Sequence, residues 1–273
     1  MGGTDQPAIV QLAPEDARAG LVLSGESHWN QNEADWRFFL RMAMVLGIRD
    51  GDARLIATAA LLPYSPADAW ISMVLVTASR RRRGLATRLL AACLDRAAKL
   101  GLTAWLDATP AGAAVYGPLG FFPALELRRL RGAGAAKGPR LGSDGNLDEM
   151  IARDRHAMGF DRSALLRELG GRSGSRVISQ GRAMAMVRDG RTARHIGPLY
   201  ADDAGSAAAL IETVAQSESG PILLDVVNER RQFLEHLAGA GWTVERPFQR
   251  MRFGRATTVN AELPFAVAGP EYG

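Results

Sequence analysis

The stretch "MVLVTASRRRRGLATRLLAACL", residues 73–94, joins an apolar run to four arginines, a glycine and a run rich in leucine and alanine. Val74–Val76 has the composition of a strand, and the apolar spacing after Gly84 predicts a helix over residues 85–100 that ends at Gly101. A strand, a short basic loop and a helix place backbone N–H groups at a helix N-terminus, where the helix dipole favours an anion. The stretch therefore predicts a phosphate-binding turn in an α/β fold.

The side chains of this turn suit a pyrophosphate. Gly84 allows close approach of the backbone, Ala86 keeps the next turn narrow, and Thr87 adds a hydroxyl donor. The neighbouring arginines offer bidentate contacts to phosphate oxygens. Neither G-x-x-x-x-G-K followed by Ser or Thr, nor G-x-G-x-x-G, occurs here, which argues against a nucleotide triphosphatase and a Rossmann dehydrogenase.

Length and composition indicate a globular protein with two domains. The 273 residues are 47% apolar and 23% charged, with a net charge of +4, and domains commonly span about 100–200 residues. No apolar run approaches the roughly 20 residues of a membrane-spanning helix, and the N-terminus lacks a targeting pattern. We therefore expect a cytoplasmic location without a membrane partner. The single cysteine, Cys93, excludes an internal disulfide and predicts an inert buried thiol, and no metal site is expected.

The first half of the chain alternates helices and strands. Residues 131–146 are glycine-rich, polar and without periodicity, and predict a linker between domains at 1–130 and 147–273. Before the linker we predict strands at 6–12, 53–64, 69–78, 102–108 and 121–130, and helices at 14–30, 33–47, 85–100 and 109–117. Thr109 is a suitable N-cap and Pro110 suits a first helical position.

The second half repeats the first. It predicts helices over 147–171, 204–216 and 228–240, two or three strands over 175–200, and strands at 221–227 and 242–254. An alignment of the halves places Gly84 opposite Gly205, Asp107 opposite Asp225, and Gly120-Phe121 opposite Gly241-Trp242. The chain therefore contains an internal repeat of one supersecondary unit.

Two motifs carry a family resemblance. Arg81 to Ala86 matches the pattern of Arg or Gln, two residues, Gly, one residue, and Gly or Ala, and Tyr116 to Phe121 matches Tyr-x-x-x-Gly-Phe. With their order along the chain, these motifs resemble those of the GNAT N-acetyltransferases, and the two halves resemble tandem GNAT proteins. The resemblance implies two GNAT-like domains of mixed α/β class, each with a mostly antiparallel central sheet flanked by helices.

The resemblance also assigns coenzyme and catalytic residues. It implies that acetyl-coenzyme A lies between splayed strands, with its pantetheine paired to the backbone of Val74, Leu75 and Val76. The pyrophosphate is assigned to Arg81, Arg82, Arg83, Gly84, Leu85, Ala86 and Thr87. Tyr116 is assigned as the acid that protonates the departing thiolate, which a phenol with a pKa near 10 can do. The alternative is that Tyr116 only packs or forms a structural hydrogen bond.

No base for the attacking amine is identified, because "AWISMVLV" contains neither Glu nor Asp. The polar candidates are Glu26, His28, Glu33, Asp35 and Asp107. An amine that arrives partly neutral, or a water relay, is a further alternative, and for each single residue a structural role as a cap or solvated charge is favoured. Trp29, Trp36, Phe38 and Phe39 can wall an acceptor pocket or form core, and core is favoured for Phe39.

The second half has a degenerate turn, "YADDAGSA" at residues 200–207, in which Asp202 and Asp203 replace arginines. A carboxylate at a helix N-terminus caps the helix and repels phosphate. The alignment places Leu237 where Tyr116 stands, so the acid is missing. In the connecting helix, Asp154, His156 and Asp161 are interpreted as solvated charges, with a position facing the cleft as the alternative.

The leading hypothesis is acetyl transfer from acetyl-coenzyme A to a primary amine of a small molecule, by direct attack in a ternary complex. Cys93, mid-helix and far from a base motif, argues against an acetyl-enzyme. One alternative is a non-catalytic acyl-coenzyme A sensor. Another is nucleic-acid binding through the arginines of 80–83 and 128–140, although no nucleic-acid partner is expected. The acceptor and the oligomeric state stay open.

Overall fold

The computed structural model describes residues 7–64, 67–138, 141–255 and 263–273. Its contacts divide the chain into two compact units. The first comprises residues 1–63 and 67–104, and the second comprises residues 64–66 and 105–273.

The first unit holds a sheet with strand order β1-β2-β3-β4 and three helices. Its elements are β1 (Ile9–Gln11), a 3-10 turn (Pro14–Asp16), α1 (Ala17–Glu26), α2 (Glu33–Met42), β2 (Met44–Arg49), β3 (Leu55–Tyr64), β4 (Asp68–Val76), a 3-10 turn (Ala78–Arg80), α3 (Leu85–Lys99) and the start of β5 (Thr103–Ala108). β1 and β3 both pair antiparallel with β2.

The second predicted helix, over residues 33–47, is too long. It begins as expected, with Asn32 Oδ1 accepting a hydrogen bond from the Asp35 N–H at 3.1 Å and Asp35 accepting from the Asn32 N–H at 2.8 Å. It ends at Met42, and β2 follows after a single residue. Because most of β2 is buried, it appears in the sequence as a continuous apolar run, which periodicity cannot distinguish from a helix.

Aromatic side chains of α2 form the core of the first unit. Trp36 and Phe39 are fully buried, and the Trp36 indole donates a hydrogen bond to Ser24 Oγ at 3.0 Å. The absence of a side chain at Gly20 of α1 makes room for the Trp36 ring, since a Cβ there would overlap it. The core interpretation of Phe39 is confirmed, and Trp36 is core rather than a pocket wall. Phe38 is also buried.

The second unit holds a mixed sheet with strand order β5-β11-β6-β10-β9-β8-β7. Its elements after β5 are α4 (Pro110–Tyr116), a 3-10 turn (Gly117–Leu119), β6 (Phe122–Ala135), α5 (Leu147–Met158), α6 (Ser163–Gly170), β7 (Arg176–Gln180), β8 (Ala183–Arg188), β9 (Arg194–Tyr200), α7 (Ala204–Ser217), β10 (Ser219–Val227), α8 (Arg231–Gly239) and β11 (Thr243–Phe253). β9 and β10 run parallel, whereas β6 is antiparallel to both β10 and β11.

The last strand of each repeat lies beside the other repeat's strands. β6 follows α4 in the first repeat but pairs with β10 of the second, and β11 lies between β5 and β6. Each exchanged strand contributes an arginine to a buried ion pair, Arg250 with Asp107 on β5 and Arg129 with Asp225 on β10. The compact units therefore do not coincide with the sequence repeats.

The predicted linker at 131–146 begins inside a strand. Residues 131–135 belong to β6 and pair with β10. The glycines there serve close packing, because a Cβ on Gly132 would overlap the ring of Trp242. The sequence pattern of a flexible glycine-rich segment was therefore wrong for this part of the linker.

The predicted fold class is confirmed: mixed α/β, with sheets flanked by helices. The strands predicted for the second half, and the helices predicted over 204–216 and 228–240, are present to within a few residues at their ends. The single helix predicted over 147–171 was wrong, because α5 ends at Met158 with Gly159 as its left-handed C-cap and α6 begins at Ser163. Within the described ranges, no helix has both the length and the apolar character needed to span a membrane.

Candidate functional site

The turn before α3 has the geometry of a helix N-terminus without a side-chain cap. The 3-10 turn after β4 leads into Arg82, which has a φ of +60°, and Gly84, which has a φ of +76° and is the N-cap residue of α3. Gly84 has no side chain to cap this helix, and within the described residues α3 has no side-chain hydrogen bond at its N-cap. Its orphan N–H groups and the positive end of the helix dipole therefore coincide, as in anion-binding turns.

Positive charge surrounds this N-terminus. Arg81, Arg82 and Arg83 are exposed, and Arg81 is oriented by a hydrogen bond from its Nε to the Val76 carbonyl at 3.1 Å. Leu85 is buried and anchors the helix in the core, whereas Ala86 is half-buried and Thr87 exposed. The predicted pyrophosphate residues thus form one continuous basic turn.

Arg88 is a residue that the sequence analysis overlooked. Its Nη2 donates a hydrogen bond to the Pro7 carbonyl at 3.0 Å, while its Nη1 is buried without a hydrogen-bond partner in the described part of the chain. Buried guanidinium nitrogens normally have partners. A lone arginine in an amphipathic helix carries no motif, so its spacing from Gly84 was the one available signal.

The strand before the turn is distorted at Met73. This buried residue has a φ of +53°, and its carbonyl accepts a hydrogen bond from Thr58 Oγ1 at 2.8 Å. A positive φ at a non-glycine residue costs on the order of 1–3 kcal/mol and is typical of functional sites. The distortion immediately precedes Val74 and Val76, which are half-buried, and Leu75, which is buried.

Glu26 is the predicted acceptor-site residue that the structure brings to the end of β4. Its Oε2 accepts a hydrogen bond from Thr77 Oγ1 at 2.6 Å, and its Oε1 accepts from Arg54 at 3.1 Å. Asp35 instead completes the N-terminal cap of α2 and is buried. Of these two carboxylates, therefore, one lies beside the basic turn and one has a structural role.

The other candidates of the first unit occupy the connection between α1 and α2. Trp29 is half-buried, and its N–H donates to the Ser24 carbonyl at 2.9 Å. His28 is exposed with a φ of +55°, and Glu33 forms an ion pair with Arg37 at 2.5 Å.

Tyr116 closes α4 in the second unit. The helix begins as predicted, with Thr109 Oγ1 accepting from the Gly112 N–H at 3.2 Å and Pro110 in its first turn. The Tyr116 ring lies 5.9 Å from the Phe121 ring, centroid to centroid, and burial raises the pKa of the phenol to about 12. No described residue hydrogen-bonds its hydroxyl. The phenol is therefore protonated, and its proton is not committed to another group of the described chain.

Asp107 is committed to an ion pair. Arg250 donates to its two carboxylate oxygens from Nε and Nη2, each at 2.9 Å. Burial raises the pKa of Asp107, and the adjacent Arg250 guanidinium opposes that rise. Asp225 accepts the same two bonds from Arg129 at 2.8 Å. The alignment of Asp107 with Asp225 thus reflects matching structural ion pairs.

The corresponding turn of the second repeat is capped by its own carboxylate. Asp203 is the N-cap of α7, where Oδ1 accepts from the Ser206 N–H and Oδ2 from Ser206 Oγ, both at 2.8 Å. These bonds lower the pKa of Asp203. Asp203 thus occupies the N-cap position of α7 that Gly84 occupies in α3, and Gly205, which the alignment of the halves places opposite Gly84, lies inside α7.

The charges of the connecting segment differ from expectation. Asp154 is buried, accepting two hydrogen bonds from Arg162 at 2.7 and 2.8 Å and one from the Tyr200 hydroxyl at 2.6 Å. Its interpretation as a solvated charge was wrong, because its partners lie outside its own helix. His156 is exposed, and Asp161 pairs with Arg155 at 2.9 Å.

Two groups bear on the alternative functions. Arg129 of the second basic cluster is buried in its ion pair with Asp225, which removes it from a nucleic-acid surface, whereas Arg131 pairs with Glu245 and stays partly exposed. Cys93 is fully buried, and burial raises the pKa of its thiol to about 12. A thiol held protonated is a poor nucleophile. Leu237, opposite Tyr116, belongs to the core.

Comparison with known proteins places a family domain in each half. Residues 11–121 match the Acetyltransferase (GNAT) family, and residues 150–265 match an Acetyltransferase (GNAT) domain. The chain is 23% identical over 247 residues to YitH of Bacillus subtilis (strain 168), an uncharacterized N-acetyltransferase, covering 86% of this chain and 87% of YitH.

Solved structures resemble the fold along nearly the whole length. A protein of Pyrococcus horikoshii matches with a TM-score of 0.80 at 18% identity, covering 99% of this chain and 97% of that one. A tandem GNAT protein from the clavulanic acid biosynthesis pathway matches with a TM-score of 0.62 at 17% identity, covering 92% and 99%.

Proposed function

Because this chain belongs to the GNAT acetyltransferases, with one GNAT domain in each half, we propose that it transfers an acetyl group from acetyl-coenzyme A to a primary amine of a small molecule. The proposal assigns the coenzyme to Val74–Val76 and to residues 81–87 of the first repeat. It assigns the role of general acid to Tyr116.

The observation that carries the proposal is the contrast between the two turns. In the described part of the chain, the N-terminus of α3 has no side-chain cap, and it lies beside three exposed arginines. In the second repeat Asp203 caps α7, and Asp202 forms an ion pair with Arg182 at 2.5 Å. A pyrophosphate is stabilised by uncapped N–H groups and cations, and it is repelled by a carboxylate at that position.

The proposed chemistry is a direct displacement. The neutral amine attacks the thioester carbonyl carbon, the carbon–sulfur bond breaks, and the sulfur takes a proton from the Tyr116 phenol. The nitrogen, which is cationic after the attack, releases one proton to solvent, and the Tyr116 phenolate takes one proton back from solvent. The raised pKa of Tyr116 keeps that proton in place until the thiolate forms. A covalent acetyl-enzyme on Cys93 is disfavoured by its burial.

We assign no protein base. Asp107 is ion-paired to Arg250, Asp35 caps α2, and Glu26 already accepts two hydrogen bonds. The amine then reaches its reactive form through its own acid–base equilibrium, so kcat/KM should rise with pH until the free amine is fully deprotonated.

The proposal is tested by following thiol release from acetyl-coenzyme A in the presence of a panel of amines, with Arg83→Ala as the binding-site variant and Arg191→Ala as the control. We expect amine-dependent thiol release that the Arg83 variant weakens through the KM for acetyl-coenzyme A. Equal KM values for acetyl-coenzyme A in the two variants would show that the coenzyme does not bind at this turn.

A non-catalytic acyl-coenzyme A sensor is the second candidate. It is favoured because Asp35 caps α2 and Asp107 is ion-paired to Arg250, so neither carboxylate is assigned as a base. It predicts tight calorimetric binding of acetyl-coenzyme A and no thiol release with any amine. Amine-dependent turnover excludes it.

A further inference from the structure

The parallel pairing of β9 and β10 is short. It runs from Arg194 opposite Ile222 to Ile196 opposite Leu224. Beyond it lies the closing segment, which we define as residues 263–273, and Ala266 of this segment bridges to Leu199 of β9 and to Val226 of β10. The two strands therefore part, and a third extended stretch of the same chain fills the opening.

Backbone hydrogen bonds hold the closing segment on both sides. They run from Leu199 N–H to the Ala266 carbonyl at 2.9 Å, from Phe265 N–H to the Leu199 carbonyl at 2.8 Å, from Val227 N–H to the Phe265 carbonyl at 3.1 Å, and from Val267 N–H to the Asp225 carbonyl at 2.9 Å. Buried backbone groups of two parted strands would otherwise lack partners. The segment thus completes the sheet locally.

Side chains fix the closing segment in this position. Ala266, Val267 and Ala268 are fully buried, and the Phe265 ring packs edge-on against Phe233 at 5.4 Å. The Arg230 guanidinium lies 4.2 Å from the centroid of the Phe265 ring.

Further contacts hold the segment at its two ends. Arg230 donates to the carbonyls of Leu263 and Pro264, and Arg188 donates to the Ala268 carbonyl at 2.5 Å. The segment is therefore part of the core of the second unit.

Gly197 of β9 leaves room for the closing segment. A Cβ on Gly197 would overlap the Val267 carbonyl, so a side chain at this position is incompatible with the seated segment. A few residues further along the chain, Asp203 fills the N-terminus of α7. Both places where the repeat pattern would put a coenzyme, the strand opening and the turn, are thus filled by the chain itself.

We propose that the closing segment is a resident occupant of the second repeat, running along β9 where the proposed pantetheine position runs along β4 in the first repeat. The second repeat is thereby closed to acyl-coenzyme A, and the chain carries a single coenzyme. The occupancy is independent of any activity, whereas the coenzyme consequence rests on the proposed function.

The experiment measures amide hydrogen exchange by NMR on the full chain, first without and then with saturating acetyl-coenzyme A. The four donor amides, Leu199, Val227, Phe265 and Val267, should exchange about 100-fold or more slowly than unstructured amides. Their rates should not change when the coenzyme is added.

Gly197→Ala provides the matched perturbation, with Gly239→Ala as control because a Cβ there meets no atom within 4 Å. Gly197→Ala should speed exchange at the four amides by about 10-fold or more relative to the amides of Ile222–Leu224. The added Cβ displaces the closing segment, so the four amides become exposed to solvent locally. The control should leave all of them unchanged.

Two results overturn the proposal: exchange of the four amides at unstructured rates in the coenzyme-free wild type, or loss of their protection when acetyl-coenzyme A is added. Both results are measured on the wild-type protein, so the test is decisive even when the Gly197 variant fails to fold. A chain that binds no coenzyme but keeps the four amides protected refutes the proposed function and leaves the occupancy standing.

Discussion

The Tyr116 phenol is protonated throughout the range in which enzymes usually work, because burial raises its pKa to about 12. The raised pKa means that the proton is lost only under strongly alkaline conditions. A general acid with this property should impose no alkaline limb on the rate below about pH 10.5. The pH dependence should therefore come from the amine alone.

Removal of the phenol hydroxyl tests this role. In Tyr116→Phe we expect kcat to fall by roughly 100-fold, a typical contribution of a general acid, with the KM for acetyl-coenzyme A changed less than about twofold. Steady-state kinetics from pH 6 to pH 10 measure both, and Val115→Ala on the same helix is the control. A kcat equal to that of the control would leave Tyr116 with a packing role.

The ion pair of Arg250 with Asp107 makes a second prediction at this scale. Arg250→Met leaves the buried carboxylate without its partner, which should lower the free energy of unfolding by about 3–5 kcal/mol. Arg252→Met on the same strand is the control, since that guanidinium bonds the Gly254 carbonyl instead. Urea denaturation compares the two variants. Equal midpoints would show that loss of the Arg250 partner does not destabilise the buried Asp107 carboxylate.

The basic turn and the start of α4 at Thr109 were predictable from sequence because each depends on a short local motif. It could not distinguish the buried carboxylates, because their partners are remote: Asp107 and Arg250 are 143 positions apart. The left-handed backbone of Met73 and the buried Nη1 of Arg88 likewise depend on neighbours that no local pattern encodes.

At the scale of elements, α3 and α7 are equivalent helices with opposite N-termini. One is uncapped and the other is capped by Asp203. Helix starts with a capping residue, such as those of α2 and α4, were predictable from sequence because caps are local. The error at β2 arose because a strand buried on both faces has no alternation to read.

The Asp203 cap predicts that the stability lost on its removal depends on pH. Its pKa is lowered in the folded state, so its stabilisation is present above the unfolded pKa and disappears as the pH falls through the folded one. Asp203→Ala should lower the urea midpoint at neutral pH and converge with wild type as the pH falls through the lowered pKa of Asp203. Glu212→Ala on the same helix is the control, and a deficit that persists in acid would contradict the cap.

At the scale of the whole molecule, β6 and β11 pair strands of one repeat with strands of the other. The sequence shows two similar halves separated by a glycine-rich stretch, a pattern that predicts two independently folded domains. Strand order is set by non-local pairing, so no pattern within either half reveals that β6 belongs beside β10 and β11 beside β5.

Expression of the halves tests the exchange. A chain of residues 1–146 lacks Arg250 for Asp107, and a chain of residues 147–273 lacks Arg129 for Asp225. The second compact unit is divided between the two chains, so we expect the 147–273 chain, which lacks β6, neither to unfold cooperatively in urea nor to give dispersed NMR spectra. A cooperatively folded monomer of residues 147–273 would show that the exchanged strand β6 is dispensable.

The central claim is that one coenzyme binds at the uncapped N-terminus of α3. Isothermal titration with acetyl-coenzyme A measures it directly, comparing wild type with Gly84→Glu, which places a carboxylate where Asp203 stands in the other repeat. Gly101→Glu is the matched control, because its φ of +69° carries similar strain at the opposite end of α3. We predict one equivalent bound by wild type and control, and affinity weakened by about 100-fold or more in Gly84→Glu through charge repulsion and lost N–H contacts. Equal affinity in Gly84→Glu and Gly101→Glu would contradict the account.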